Sequence, residues 1–194
     1  MAKLTITRAD FFASIQDMGR QRTQHLGLAQ SGVADEYSFF RANYLVGNAV
    51  TTPVIEIITG FFSLTTDSPV TMALTGADMS ARVNNAPLSP WQSFVLMPGK
   101  VLELKNTAGM GIYSYLAVKG GFDIPLCFKS ASTVVRENLG GYHGRTLAAG
   151  DVLATILPRP LGPTLATPAD QIPQFDRPLR LRIMPGYDHD NFPE

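Results

Sequence analysis

The stretch Val54-Ile55-Glu56-Ile57-Ile58-Thr59-Gly60-Phe61-Phe62-Ser63-Leu64-Thr65 reads as two β-rich runs hinged on Thr59-Gly60. β-Branched and aromatic side chains suit an extended, half-buried chain. A glycine-containing dipeptide between two such runs marks a tight turn. The same grammar continues on both sides. Val70 to Thr75 is β-rich, and Met79, Ala81 and Val83 alternate with Ser80, Arg82 and Asn84 until Asn85-Ala86-Pro87 breaks the run. Phe94 to Met97 ends at Pro98-Gly99, Val101, Leu102 and Leu104 follow, and a turn over 106–109 leads into a run over 112–118. Leu4 and Ile6 alternate with Lys3, Thr5 and Thr7, and a further run spans 152–157. About ten short strands at regular spacing predict a mainly-β barrel or sandwich.

One segment breaks the pattern. Asp35 can cap a helix by accepting first-turn backbone N–H groups. Phe39, Phe40, Ala42, Tyr44, Leu45 and Val46 follow it, and Gly47 is a natural stop, so a short helix is predicted over 36–46. Residues 158–178 contain Pro158, Pro160, Pro163, Pro168, Pro173 and Pro178 without periodicity, the signature of a linker or an extended surface segment. The expected organisation is a mainly-β domain over 1–157, a Pro-rich linker over 158–178, and at 179–194 the opening strand of a second β domain that these residues do not complete.

Composition narrows the function. Of 194 residues, 45% are hydrophobic and 16% charged, which excludes a disordered chain. Sixteen Lys and Arg balance 16 Asp and Glu, so the basic surplus of a nucleic-acid binder is missing. Cys127, the single cysteine, can form neither an internal disulfide nor a thiolate metal site. Its neighbours Leu126 and Phe128 predict a buried, inert thiol. Trp91 and Phe94 are expected in the core. The first ten residues hold no apolar stretch of signal-peptide length, and no window approaches the ~20 apolar residues of a membrane helix, so a soluble cytoplasmic protein is expected. No nucleophile elbow, phosphate loop or zincin motif occurs. His25, His143 and His189, the last between Asp188 and Asp190, suit structural or solvated roles better than metal binding.

Two segments concentrate polar chemistry. The first runs from Ser14-Ile15-Gln16-Asp17-Met18-Gly19-Arg20 through Gly27 to Ser31-Gly32-Val33-Ala34-Asp35. It reads either as a turn-rich connector, with Asp17 on backbone N–H groups and Asp35 capping the helix, or as a loop lining a cleft. The residues alone favour the connector. The second holds Lys119-Gly120-Gly121-Phe122-Asp123, Lys129-Ser130-Ala131-Ser132-Thr133, Gly140-Gly141-Tyr142-His143-Gly144-Arg145 and Ala149-Gly150-Asp151. Its glycines can form an anion nest with Arg145 as the charged member. Equally, Arg145 can pair with Asp151 or Glu137 while the glycines shape a turn.

Taken in order, these segments resemble the carboxyltransferase, or allophanate hydrolase subunit 2, family. The resemblance is carried by Gln16-Asp17-x-Gly19-Arg20, Ser31-Gly32-x-x-Asp35, Ala42-Asn43-x-Leu45-Val46-Gly47-Asn48, Glu56, Leu74-Thr75-Gly76-Ala77, Lys119-Gly120-Gly121-Phe122-Asp123, Ser132-Thr133 and Gly140-Gly141-x-x-Gly144-Arg145-x-Leu147-x-x-Gly150-Asp151. It implies a cyclophilin-like β-barrel character, a longer parent chain, and one of three contexts. One is the C subunit of an ATP-dependent 5-oxoprolinase, acting with an A subunit and a homologous B subunit to hydrolyse 5-oxo-L-proline to glutamate. The second is a biotin-dependent carboxyltransferase of the urea carboxylase type, with its biotin on another chain. The third is a non-catalytic antagonist of a sporulation-kinase inhibitor. The resemblance implies Arg20, Lys129, Ser132, Thr133, Gly140, Gly141, Gly144 and Arg145 as substrate or anion contacts, with Gln16, Asp17, Asp35 and Asn43 in support. It assigns no catalytic residue and no ATP site in this chain. Lys129 and Ala131 stand where the family usually carries Gly and Arg, leaving Lys129 or Arg136 to supply that charge.

Overall fold

A computed structural model describes residues 1–105, 111–156, 164–175, 178, 180, 182–187 and 191. Eleven strands and one helix follow in the order β1 (Lys3–Ala9), β2 (Phe12–Gln16), α1 (Glu36–Val46), β3 (Val54–Ile58), β4 (Phe61–Thr66), β5 (Val70–Gly76), β6 (Arg82–Val83), β7 (Ala86–Pro87), β8 (Gln92–Leu96), β9 (Val101–Lys105), β10 (Tyr113–Val118) and β11 (Val152–Ala154). The mainly-β expectation holds, and the helix has the predicted bounds. Two antiparallel sheets form, ordered β11-β1-β4-β9-β6-β7 and β2-β3-β10-β5-β8. No helix among the described residues is long and apolar enough to cross a membrane.

Strand alternation explains the layering. Leu4, Ile6, Phe62, Leu64, Leu102 and Leu104 of the first sheet share one core with Ile15, Ile55, Ile57, Met72, Leu74 and Leu116 of the second. The second sheet is covered on its other face too. There Val54, Ala73, Tyr115 and Ala117 pack against Phe39, Ala42, Leu45 and Val46 of α1. Burial on both faces accounts for the near-continuous apolar runs of β3, β5 and β10. The helix is stopped at both ends as the sequence predicts. Asp35 accepts from Ser38 N at 3.1 Å, and Gly47 takes the left-handed conformation at φ 71°.

Three readings of the sequence are corrected. Residues 14–16, read as the start of a connector, belong to strand β2, and the polar Ser14 and Gln16 are buried. The alternation over 79–83 yields only the two-residue β6, and Ala86–Pro87, expected only to break the run, pairs with it as β7. Asn84 and Asn85, both at positive φ, form the hairpin turn, and proline is tolerated because β7 is an edge. Cys127 is half-buried, not sequestered in the core.

Long edges are covered. Thr133 N and Leu147 N donate to Ile15 O and Ala13 O along β2, Ser93 N and Thr167 N pair with Leu165 O and Trp91 O along β8, and Asp123 N donates to Ala154 O of β11. Residues 164–167 of the proline-rich segment therefore lie against β8. The Tyr37 hydroxyl donates to Gln171 O farther along it. Of the expected strand at 179–184, Leu179 and Leu181 lie outside the described residues, while Ile183 and Met184 are exposed. The turn at 106–109, Leu157, Pro158, Pro160, Pro163 and His189 with its flanking aspartates also lie outside them.

Phe39 is fully buried between helix and sheet. Phe39→Ala should cost about 3–5 kcal/mol in equilibrium urea denaturation. A loss under about 1 kcal/mol would mean that α1 does not hold the outer face.

Candidate functional site

The residues of the two polar segments meet in one buried joint. β2 delivers Gln16 and then Asp17 to the 130–133 segment that runs along its edge. The Asp17 carboxylate accepts from Gly19 N at 2.8 Å, Ser130 Oγ at 2.7 Å, Ala131 N at 2.6 Å and Ser132 Oγ at 2.6 Å. Gln16 Nε2 donates to Ser14 Oγ and to Thr133 O, and Thr133 Oγ1 donates to Ile15 O at 2.9 Å. Asp17 thus sits on backbone N–H groups, as the connector reading expects, and also on two serine hydroxyls.

Arg20 is fully buried, an unusual state for a guanidinium. Its Nη2 donates to Ser132 O, while Nε and Nη1 have no hydrogen-bond partner among the described residues. Gly140 lies directly against it. A Cβ there would collide with Ser132 O and with the Arg20 guanidinium. At Gly141 it would strike the Thr133 hydroxyl, and at Gly144 the Asn138 backbone. These glycines have the expected positive φ. The N–H groups of Gly141 and Gly144, however, already donate to Ala131 O and Gly140 O. Arg145 forks onto Asp151, with Nη1 and Nη2 each 2.7 Å from a carboxylate oxygen. That bond holds the Asp151 carboxyl below its usual range.

Lys129 differs from these. With Phe128 it forms the tip of a tight turn, both at positive φ (64° and 51°), which side chains rarely adopt. It is exposed and its ammonium pairs with no carboxylate among the described residues. It lines a cleft of about 330 Å³ with Asp17, Gly19, Thr51, Thr52 and Leu126. Ala131, by contrast, is turned into the core. Asn43 does not line this cleft. Its Nδ2 donates to Thr52 O at 2.8 Å, tying the end of α1 to the following turn.

A second, larger cavity of about 430 Å³ opens at the head of α1. Asp35, Ser38, Asp78, Trp91, Tyr113 and Phe175 are among its walls. Trp91 is buried but belongs to neither apolar cluster, and its ring lies 6.1 Å from that of Tyr37. Beneath this head is a buried acid beyond the site residues inferred from sequence. The register sets Tyr115 opposite Glu56. Glu56 Oε2 accepts from the Tyr115 hydroxyl at 2.8 Å and from Ala34 N at 2.9 Å, and that hydroxyl accepts from Asp35 N at 2.7 Å. Burial raises the Glu56 carboxyl above its ordinary value, against the opposing pull of these two hydrogen bonds, and burial followed by the Glu56 charge raises Tyr115 strongly. The available signal was a lone carboxylate in the otherwise apolar β3.

Because the folded protein binds the Glu56 proton more tightly than the unfolded chain, this residue favours folding most in acid. The contribution is lost as pH rises through the raised pKa. Urea titrations from acid to neutral pH should therefore show wild-type stability falling relative to Glu56→Gln. A gap that stays constant or moves the other way would contradict this assignment.

The comparisons with known proteins follow the same outline. The model for the carboxyltransferase domain, subdomain A and B, matches residues 26–194. The chain is 34% identical over 192 residues to the 5-oxoprolinase C subunit of Escherichia coli (strain K12), covering 97% of this chain and 59% of that protein. The 5-oxoprolinase C subunit of Haemophilus influenzae is 34% identical over 143 residues, 74% of this chain and 46% of that one. The chain thus spans about half the length of these two relatives. A putative urea carboxylase of Emericella nidulans is 34% identical over 188 residues, 96% of this chain and 15% of that protein. Among solved structures, TTHA0988 matches with a TM-score of 0.86 at 34% identity, over 97% of this chain and 37% of the other. Sequence order, fold and these matches agree: the chain belongs to the carboxyltransferase domain family, subdomain A and B.

Proposed function

We propose that the chain forms part of the C subunit of a 5-oxoprolinase-like complex in the cytoplasm. The complex, with an A subunit and a homologous B-type subunit, opens the lactam of 5-oxo-L-proline to give glutamate. The observation that carries this reading is the 34% identity to the Escherichia coli protein over 97% of the chain. In this reading Lys129, the cation free to meet a ligand in the smaller cleft, receives the substrate carboxylate. Asp17, Gln16, Arg20, Ser132, Thr133 and the glycines act as the frame that holds it there. Arg145 braces the same segment through Asp151.

ATP is consumed by the complex. Gly141 N and Gly144 N donate to Ala131 O and Gly140 O, so these two are not open donors for a phosphate. A second reading, biotin-dependent carboxyl transfer, is supported by the equal identity to the putative urea carboxylase. It requires a biotinylated carrier on another chain or segment.

Coexpression of the full gene product with A and B subunits should give one assembly that releases glutamate from 5-oxoproline only when ATP is present. Separate elution of the subunits, or failure to hydrolyse 5-oxoproline alongside biotin-dependent carboxylation of a urea-like amide, would replace the first reading with the second.

A further inference from the structure

The cavity at the head of α1 has one wall that neither the sheets nor the helix supply. Pro173, Gln174 and Phe175 border it together with Asp35, Ala77 and Trp91. These three residues end a run, 164–175, that is fastened unequally along its length. At 165–167 it is stitched to β8 and its approach. Ser93 N and Thr167 N donate to Leu165 O and Trp91 O, each at 2.8 Å, and Leu165 N donates to Ser93 Oγ at 2.8 Å. From Pro168 to Phe175, by contrast, every residue is exposed except the half-buried Ile172. Among the described residues, one hydrogen bond ties 168–175 to the rest of the protein, from the Tyr37 hydroxyl to Gln171 O. Phe175 is 61% exposed although it is a cavity wall, so it covers the cavity without being packed into a core.

The exposed part keeps its own shape. A single 3-10 turn over Ala169–Gln171 is closed by Gln171 N on Pro168 O at 2.9 Å and Ile172 N on Ala169 O at 3.3 Å. Pro168 has its own φ fixed, and Pro173 holds Ile172 extended at φ −83° and ψ 122°. A stretch that is stiff in itself, anchored at one end and held by one bond near the other, moves as a unit. With few packed contacts to break, it opens at low cost. Its one bond is aimed in advance. The Tyr37 ring lies 6.1 Å from that of Trp91, and the Arg41 guanidinium stands 5.6 Å from the Tyr37 ring centre. Arg41 Nε also donates to the Tyr37 hydroxyl oxygen at 3.3 Å, which leaves the hydroxyl hydrogen for Gln171 O.

We propose that residues 168–175 form a strap that pivots on its 165–167 anchor to open and close this cavity, and that the Tyr37 hydroxyl is its latch. The inference does not rest on the reaction proposed above. A thiol on the cavity wall reads the open fraction, because a shielded group reacts in proportion to the population that exposes it. Ala77→Cys supplies that thiol in a Cys127→Ser background, which removes the native one. Iodoacetamide, small and uncharged, should alkylate this folded parent about tenfold or more slowly than the same chain unfolded in urea. Adding Tyr37→Phe keeps the ring and removes the latch donor. Alkylation should then accelerate about two- to tenfold, the effect of losing one net hydrogen bond. The melting temperature should not move, because the lost bond joins exposed groups. Cys127 of the otherwise native chain, which does not line this cavity, should react at the same rate with and without Tyr37→Phe. Equal alkylation rates for the Tyr37→Phe variant and its parent would overturn the proposal. So would a folded parent that reacts as fast as the unfolded chain, or an equal acceleration at Cys127, which would mean general loosening in place of a strap.

Discussion

A buried carboxylate with four donors is the constraint on which the polar half of this molecule depends. Asp17 leaves the end of β2 and gathers Gly19, Ser130, Ala131 and Ser132 around its two oxygens. Each buried donor left without a partner would cost about 1–3 kcal/mol, so the arrangement is strongly preferred over any partial version of it. It fixes the 130–133 segment along β2, which otherwise would present an open sheet edge. It also brings Ser132 O to Arg20, and the close approach of Gly140 to that guanidinium follows. The glycines of this region are needed for proximity to protein.

The other half rests on a sheet covered on both faces. Register alternation sends Ile55, Ile57 and Leu116 inward and Val54, Glu56, Tyr115 and Ala117 toward α1. Glu56 is the polar exception in that interface. Its bonds to Ala34 N and to Tyr115, which in turn meets Asp35 N, fix the entry of the chain into the helix. The helix cap and the larger cavity are thereby placed together. Two of the clefts among the described residues thereby differ in character. One carries the free ammonium of Lys129, and the other is lined by Asp35 and Asp78.

Much of this was legible in the sequence. Asp35, the apolar face behind it and Gly47 define α1 by local chemistry alone, and Thr59-Gly60 marks the turn between β3 and β4. β2 was hidden because Ser14 and Gln16 look like surface residues. Their burial is made possible by partners more than a hundred positions away, such as Thr133. The site was legible as a set of segments but not as roles. Arg20 and Arg145 are both cations near glycines, yet one is enclosed and the other is committed to Asp151. Nothing local distinguishes them from Lys129, whose freedom follows from a turn geometry that Phe128-Lys129 does not advertise. The Glu56–Tyr115 contact depends on strand register, which emerges only when the sheet is assembled.

The central claim is that Asp17 organises the segment on the edge of β2, and amide hydrogen exchange of Asp17→Ala tests it most directly. Thr133 N and Gly141 N, bonded to Ile15 O and Ala131 O, should lose protection by about a hundredfold or more, while amides of β5 and β10 keep theirs. Unchanged protection at Thr133 and Gly141, or a uniform loss across both sheets, would contradict the account.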